Sequence, residues 1–333
     1  MDFSIREEWL AAHDEEVIEP ERAIVDPHHH FFVETDLFPH YRLADLWADT
    51  ATHRVERTVF AQCGECYRKD GPEALRPVGE TEWIDGIARE AEARPDATQI
   101  AGIVATADLR LGAGVREVLE AHRVASPLFR GIRQAVCWDD SGVVQNAEGA
   151  RDAHSYREPA FREGFAVLAE MGLSYDAYHY HPQNADLADL ARAFPQATIV
   201  LDHLGTPLGV GPYEGKRDQV FAEWKQSMNE LASCPNVHVK LGGLAMPWNG
   251  FGFEAGARPP SSDQLLALQG RYYEHAIERF GAERCMFESN FPVDKLSLSY
   301  EVLWNFFKKL AAGCSEDEKE ALFRGTATRV YRL

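Results

Sequence analysis

Short runs rich in Val, Ile, Leu, Phe and Tyr alternate along the chain with longer segments whose apolar residues recur at helical spacing. The short runs predict strands at residues 23–26, 57–62, 100–106, 129–134, 173–179, 198–202, 237–241 and 284–289. The longer segments predict helices at 82–93, 113–122, 161–171, 186–194, 219–232, 263–280 and 300–311. In 263–280, Leu265, Leu266, Leu268, Tyr272, Tyr273 and Ile277 mark the apolar face. A last helix starts at Ser315, where Ser315-Glu316-Asp317-Glu318 has the form of a reciprocal capping box.

Eight strands alternating with helices predict an α/β chain closed into a (β/α)8 TIM barrel. The connections agree with that expectation. Links from helix to strand are short, while links from strand to helix, such as 63–81, 135–160, 204–218 and 242–262, are long. In a barrel these long strand-to-helix loops emerge together at the C-terminal face, where such folds place their chemistry. An open doubly wound sheet is the alternative, but no G-x-G-x-x-G follows the first strand. No domain boundary is visible, so residues 1–333 are expected to form one domain. Residues 1–22 read as an acidic, helical N-terminal extension packed outside the barrel, and 242–262 as a lid loop.

Composition narrows the partners. Lys and Arg number 34 against 53 Asp and Glu, a net charge of −19. That balance disfavours a nucleic-acid partner, which needs clustered cations. No apolar run is long enough to span a membrane, and the N-terminus lacks the apolar core of a signal peptide. Six cysteines in so long a chain do not make a disulfide framework. Cys63 and Cys66 read as ordinary thiols in a reducing cytoplasm. The partner expected is a small molecule, with a homo-oligomer left open.

The candidate chemistry gathers at strand ends. His28 and His30, in Asp26-Pro27-His28-His29-His30, share a face of an extended segment, and two imidazoles there can hold one divalent cation. His203 ends the sixth strand, and His179 and His181 follow the fifth. In the eighth, Glu288 and Asn290 share parity and Asp294 lies just beyond. A carboxylate there could take a proton from a held water as general base. Arg133 and Lys240 end the fourth and seventh strands, where a cation grips a carboxylate or another oxygen-rich substrate. Trp138 and Trp248 on the long loops would exclude water. No Walker pattern and no G-x-S-x-G elbow is present.

The segments Ile24-Val25-Asp26-Pro27-His28-His29-His30, Phe129-Arg130-Gly131-Ile132-Arg133, Tyr180-His181-Pro182-Gln183, Val200-Leu201-Asp202-His203-Leu204-Gly205, Val239-Lys240-Leu241-Gly242-Gly243-Leu244 and Glu288-Ser289-Asn290-Phe291-Pro292-Val293-Asp294 resemble the amidohydrolase superfamily in its amidohydrolase-related (amidohydrolase 2) branch. That resemblance extends to the C-terminal Gly325-Thr326-Ala327-Thr328-Arg329-Val330-Tyr331. It implies a metal-dependent hydrolase similar to sugar lactonases and 2-pyrone-4,6-dicarboxylate lactonase, with zinc or manganese held by His28, His30, His181 and His203. The family's Ser-Asp-x-Pro is here Ser289-Asn290-Phe291-Pro292. An amide cannot act as a base, which passes that role to Asp294 or Glu288 and leaves Asn290 to bind substrate, beside Arg133, Lys240 and Trp138. His181, His203 or the cation would stabilise the oxyanion. A metal-dependent decarboxylase of aromatic acids and a non-catalytic binding protein are the alternative readings.

Overall fold

A computed structural model of the protein describes residues 4–33 and 40–333. Its strands are β1 (Ile24–His29), β2 (Val55–Ala61), β3 (Gln99–Ala105), β4 (Phe129–Arg133), β5 (Ser174–Ala177), β6 (Thr198–Leu201), β7 (Val237–Leu241) and β8 (Cys285–Phe287). They pair in sequence order, each neighbour parallel, in one eight-stranded sheet. All eight fall where the apolar runs predicted them, and the architecture is a (β/α)8 TIM barrel.

The ring is drawn together where β1 meets the segment after β8. His29 bridges Phe291, the His30 N–H donates to Phe291 O at 2.7 Å, and the Asn290 N–H donates to His28 O at 2.9 Å. Fully buried Asp26 latches this seam. Its Oδ1 accepts the Ser289 N–H at 2.9 Å and its Oδ2 accepts the Tyr300 hydroxyl at 3.1 Å. The pairing of β1 with β2 slips between Asp26 and His29. Pro27 lies in that slip and has no N–H to lose from the ladder. The slip lets Val25 and His28, three positions apart, both face the barrel axis.

The barrel interior is layered. Val25, Val59, Val104, Val200 and Met286 form its lower core with Ala327, Val330 and Tyr331 of the C-terminal helix Thr326–Tyr331, which plugs the bottom. A layer of buried charge lies above, and the site above that. Outside run the helices α1 (Glu7–Leu10), α2 (Leu43–Thr50), α3 (Val78–Ala91), α4 (Val115–Ala125), α5 (Pro159–Glu170), α6 (Asn184–Ala193), α7 (Arg217–Ala232), α8 (Ser262–Phe280) and α9 (Tyr300–Leu310). The capping box forms as expected, with Ser315 N–H donating to Glu318 Oε2 at 2.8 Å and Glu318 N–H to Ser315 Oγ at 3.3 Å.

Two features differ from the sequence expectation. Helix α2 is unanticipated: it is eight residues long and buries only Leu43, Leu46 and Thr50, too short a stripe to stand out by periodicity. In the N-terminal extension, of which residues 1–3 lie outside the described residues, the only helix is α1. The rest is a strap tied by polar contacts. Trp9 Nε1 donates to Gly256 O at 3.0 Å, and Glu15 accepts the Ser262 N–H at 2.7 Å. Among the described residues no helix is long and apolar enough to cross a membrane.

Candidate active site

Three imidazoles come together at the C-terminal face. His28 Nε2 lies 3.1 Å from His30 Nε2, and the His28 and His203 rings are 4.6 Å apart. His30 Nδ1 sits 2.8 Å from Ala61 O, so it carries the ring proton, and Nε2 keeps its lone pair. Glu288 does the same for His203. Its Oε1 accepts the His203 main-chain N–H at 3.1 Å and ring Nδ1 at 2.7 Å. His203 itself opens a run of left-handed residues, with φ 54° at His203, 55° at Leu204 and 44° at Thr206. Strain of this kind persists where surrounding contacts fix it, and Glu288 supplies two of them.

His28 has two settings. With its proton on Nε2 it donates to His30 and accepts Lys240 Nζ at 3.2 Å on Nδ1. With its proton on Nδ1, facing Glu288 Oε2 at 2.8 Å, its Nε2 lone pair accepts Arg133 Nη1 at 3.3 Å and faces that of His30. Burial holds both rings well below their ordinary pKa, reinforced by Lys240 at His28 and by Arg133 at His30. They are therefore neutral and able to act as ligands.

In the second setting His28, His30 and His203 all present Nε2 lone pairs, each with its other nitrogen on a carboxylate or carbonyl. Of these, His28 and His203 stand close enough to fit a divalent cation together with a third ligand. Asp202 adds a carboxylate beside His28 and His203, close enough for the three to share an ion.

The charged layer beneath sets the electrostatics. Lys240 Nζ lies 2.6 Å from Asp176 and 3.0 Å from Asp202, all three fully buried. Burial works against the Lys240 charge, but Asp176 and Asp202 outweigh it and raise its pKa. Burial alone would raise Asp202 as well, but Lys240, His203 and Arg133 hold it below its usual value. Tyr331 donates to Asp176 at 2.7 Å, which ties the C-terminal plug to this layer.

A cavity of about 160 Å³ opens over the cluster, lined by His30, His203, Arg133, Asn290, Cys63 and Tyr178, with Phe32, Met246, Val293 and Trp248 completing its wall. Arg133 is fixed by a bond to Gln62 O, its guanidinium 5.5 Å from the Tyr178 ring. Asn290, at φ 55°, donates its amide to Asp294 Oδ1 at 3.1 Å. Asp294 stands behind it, its other oxygen buried without a hydrogen-bond partner. Burial raises the Asp294 carboxyl to about 7, against the opposing pull of His203 and Asn290.

The expected site residues therefore separate. His28, His30, His203, Arg133 and Asn290 meet at the site. Glu288 and Lys240 lie beneath it, fully buried, where Glu288 orients imidazoles and Lys240 neutralises carboxylates. Neither lines the cavity. Asp176 holds Lys240, and Arg133 lies 3.9 Å from Asp202. His181 is elsewhere. Its Nδ1 accepts the Leu208 N–H at 3.3 Å, its ring packs on Tyr213, and none of its contacts reaches the other three histidines. Nor do His179 and His181 share a role, because His179 is fully buried between the Tyr156 hydroxyl and Asn184. Trp138 donates Nε1 to Asp140 and does not line this cavity.

Sequence reasoning missed Tyr178, Asp202 and the structural part played by Gly242 and Gly243. A Cβ on Gly242 would stand 2.4 Å from Glu288 Cγ, and one on Gly243 2.4 Å from His203 Nδ1. Gly243 also has φ 70°. The signal was the Gly-Gly pair directly after a strand. Gly243→Ala is expected to lower kcat/KM by about 10²-fold by displacing the His203 ring, since small misplacements of this kind are costly. Steady-state kinetics beside a circular dichroism spectrum checks this.

The Amidohydro_2 profile, described as amidohydrolase, matches residues 25–333. An uncharacterized protein, y4mH, of Sinorhizobium fredii is 34% identical over 333 residues, 93% of this chain and 99% of that protein. An L-fucono-1,5-lactonase of Burkholderia multivorans is 28% identical over 316 residues, 93% of this chain and 96% of that one. An amidohydrolase of Burkholderia multivorans, crystallised with bound zinc, shares the fold at a TM-score of 0.73 and 24% identity, covering 93% of this chain and 99% of that one. A 2,6-dihydroxybenzoate decarboxylase from Rhizobium does so at 0.55 and 14%, covering 93% and 98%.

Proposed function

The chain belongs to the amidohydrolase family, and from that premise we propose that it opens a lactone or related cyclic ester by hydrolysis. The observation that carries the reading is the small cavity where His30, His203, Arg133 and Asn290 converge over buried His28. Similarity to lactonase relatives supports the choice of ester.

A divalent ion, zinc or manganese, would be held by His28, Asp202 and His203, with His30 beside them. When bound it would supply Lewis acidity, polarising a carbonyl and easing loss of a proton from water. The chain's own residues do the rest. His30 and His203 flank the attacking water in the cavity. Arg133, which lines the cavity, stabilises negative charge on the carbonyl oxygen as the water oxygen bonds to the acyl carbon. The ring C–O bond then breaks and its oxygen takes a proton, giving a hydroxy acid. Asn290 binds a substrate oxygen, and Asp294 takes the proton removed from water and returns it to the departing ring oxygen. Tyr178 and Trp248 exclude bulk solvent. The six free thiols fit a reducing cytoplasm as the protein's place.

The base must be ionised to act. With the Asp294 carboxyl raised to about 7, kcat/KM is expected to rise as pH increases through that value. Asp294→Asn should remove this limb of the profile along with most of the rate, about 10²-fold or more.

Proton release from a panel of δ-lactones, beside carbon dioxide release from hydroxybenzoates, tests the reading. Proton release alone is expected. Carbon dioxide release alone would replace it with a decarboxylase, and tight ligand binding without turnover with a binding protein.

A further inference from the structure

A second, larger cavity of about 680 Å³ adjoins the histidine cavity. The two share Tyr178 and Trp248 as walls, so a molecule reaching past these rings occupies both. Both spaces are walled largely by apolar groups, and they differ in the polar ones they carry. The smaller presents imidazoles, a guanidinium and an amide. The larger is walled by Ala135, Cys137, Val144, Ala147, Val210 and the aromatic faces of Tyr178, Tyr180 and Trp248.

Most of its polar groups are engaged or lie at the rim, and the Trp248 Nε1 is buried without a hydrogen-bond partner. The Tyr180 hydroxyl donates to Gln145 O at 2.7 Å, and Asn146 Oδ1 accepts the Asp139 N–H at 2.7 Å. Gln145 and Glu148 are exposed at the opening, as is Val143. The loop forming this wall is pinned rather than loose. The Ala147 N–H donates to Cys137 O at 2.8 Å, and the Tyr213 hydroxyl holds Asp139 at 2.9 Å. A polyhydroxylated ring placed here would lose water from each hydroxyl and find few partners, which is costly. An alkyl or aryl group would gain from the same burial.

We infer that the substrate is a lactone bearing an apolar alkyl or aryl group, its ester seated beneath Arg133 and its apolar part in the Val144–Val210–Trp248 cavity, rather than a sugar lactone. This rests on the hydrolase reading given above.

The test compares kcat/KM of the full-length protein for δ-decalactone and δ-gluconolactone. Preference for the alkyl lactone by about ten-fold or more is expected. Val144→Asp and, at the exposed rim, Val143→Asp should each bring that ratio toward one, mainly through KM for the alkyl substrate. Equal turnover, or preference for gluconolactone, overturns the inference and leaves the hydrolase reading standing. If neither lactone is opened, the hydrolase reading falls, and calorimetry with the two hydroxy acids decides the cavity separately. Hydroxydecanoate binding about ten-fold tighter than gluconate would uphold the apolar assignment, and equal or weaker binding would overturn it.

Discussion

Glu288→Gln is expected to lower kcat/KM for lactone opening by about 10²–10⁴-fold, with the loss in kcat rather than KM. Glu288 touches no substrate. Its two carboxylate oxygens lie 2.7 Å from His203 Nδ1 and 2.8 Å from His28 Nδ1, so one residue fixes the proton of the first ring and faces the second. A carboxylate only accepts, which keeps His203 Nδ1 protonated and favours the setting of His28 whose Nδ1 carries the proton, turning both Nε2 lone pairs to the site. An amide of the same shape donates with one end. One ring must then turn its lone pair toward the amide and present a proton where a lone pair is needed. The main-chain bond to His203 also weakens, and that residue is held at a positive φ. Circular dichroism and an unfolding curve establish that the barrel survives. A mainly structural role would lower stability and leave kcat of the folded fraction intact.

The largest effect on stability is expected from Lys240→Met. Met matches the Lys stem and removes the charge. Asp176 and Asp202, both fully buried, are then left without the ammonium that lies 2.6 and 3.0 Å from them. Breaking a buried ion pair from one side costs about 3–5 kcal/mol, because the orphaned charge remains desolvated. A urea unfolding curve should show that loss as a lower midpoint. The sign of its pH dependence follows. Without Lys240 the carboxyls titrate at raised pKa in the folded state, so the folded protein binds more protons than the unfolded chain above the ordinary carboxylate range. The deficit shrinks as pH falls and grows as it rises. Adding Asp176→Asn should recover part of the loss, since it removes one of the two stranded charges.

The barrel was legible because its signals are local and repeated. Each strand is a short apolar run, and the asymmetry between short and long links marks which face bears the loops. The HxH pair was legible for the same reason: parity along β1 brings His28 and His30 to one side and leaves His29 to Thr58 and Phe60, where the structure has it. What failed is what parity and position cannot see. His181 follows β5, yet its side chain is captured by Leu208 and Tyr213 from later loops. Lys240 and Glu288 looked like groups facing substrate, because a sequence shows neither depth along the barrel axis nor partner. Their depth is set by the Gly242–Gly243 turn and by Asp176 and Asp202, three strands' worth of long-range contacts. Tyr178 was passed over because it stands beside two histidines in sequence, although it alone of that segment walls both cavities.

The central claim is that water, held at the histidine cluster, attacks a lactone carbonyl. Hydrolysis of δ-valerolactone in heavy-oxygen water, followed by mass spectrometry of the hydroxy acid, tests it most directly. One labelled oxygen per product, in the carboxylate, should appear with the wild-type protein about 10²-fold or more faster than with His30→Asn. An unlabelled product, no product, or equal rates for the two proteins would contradict the account.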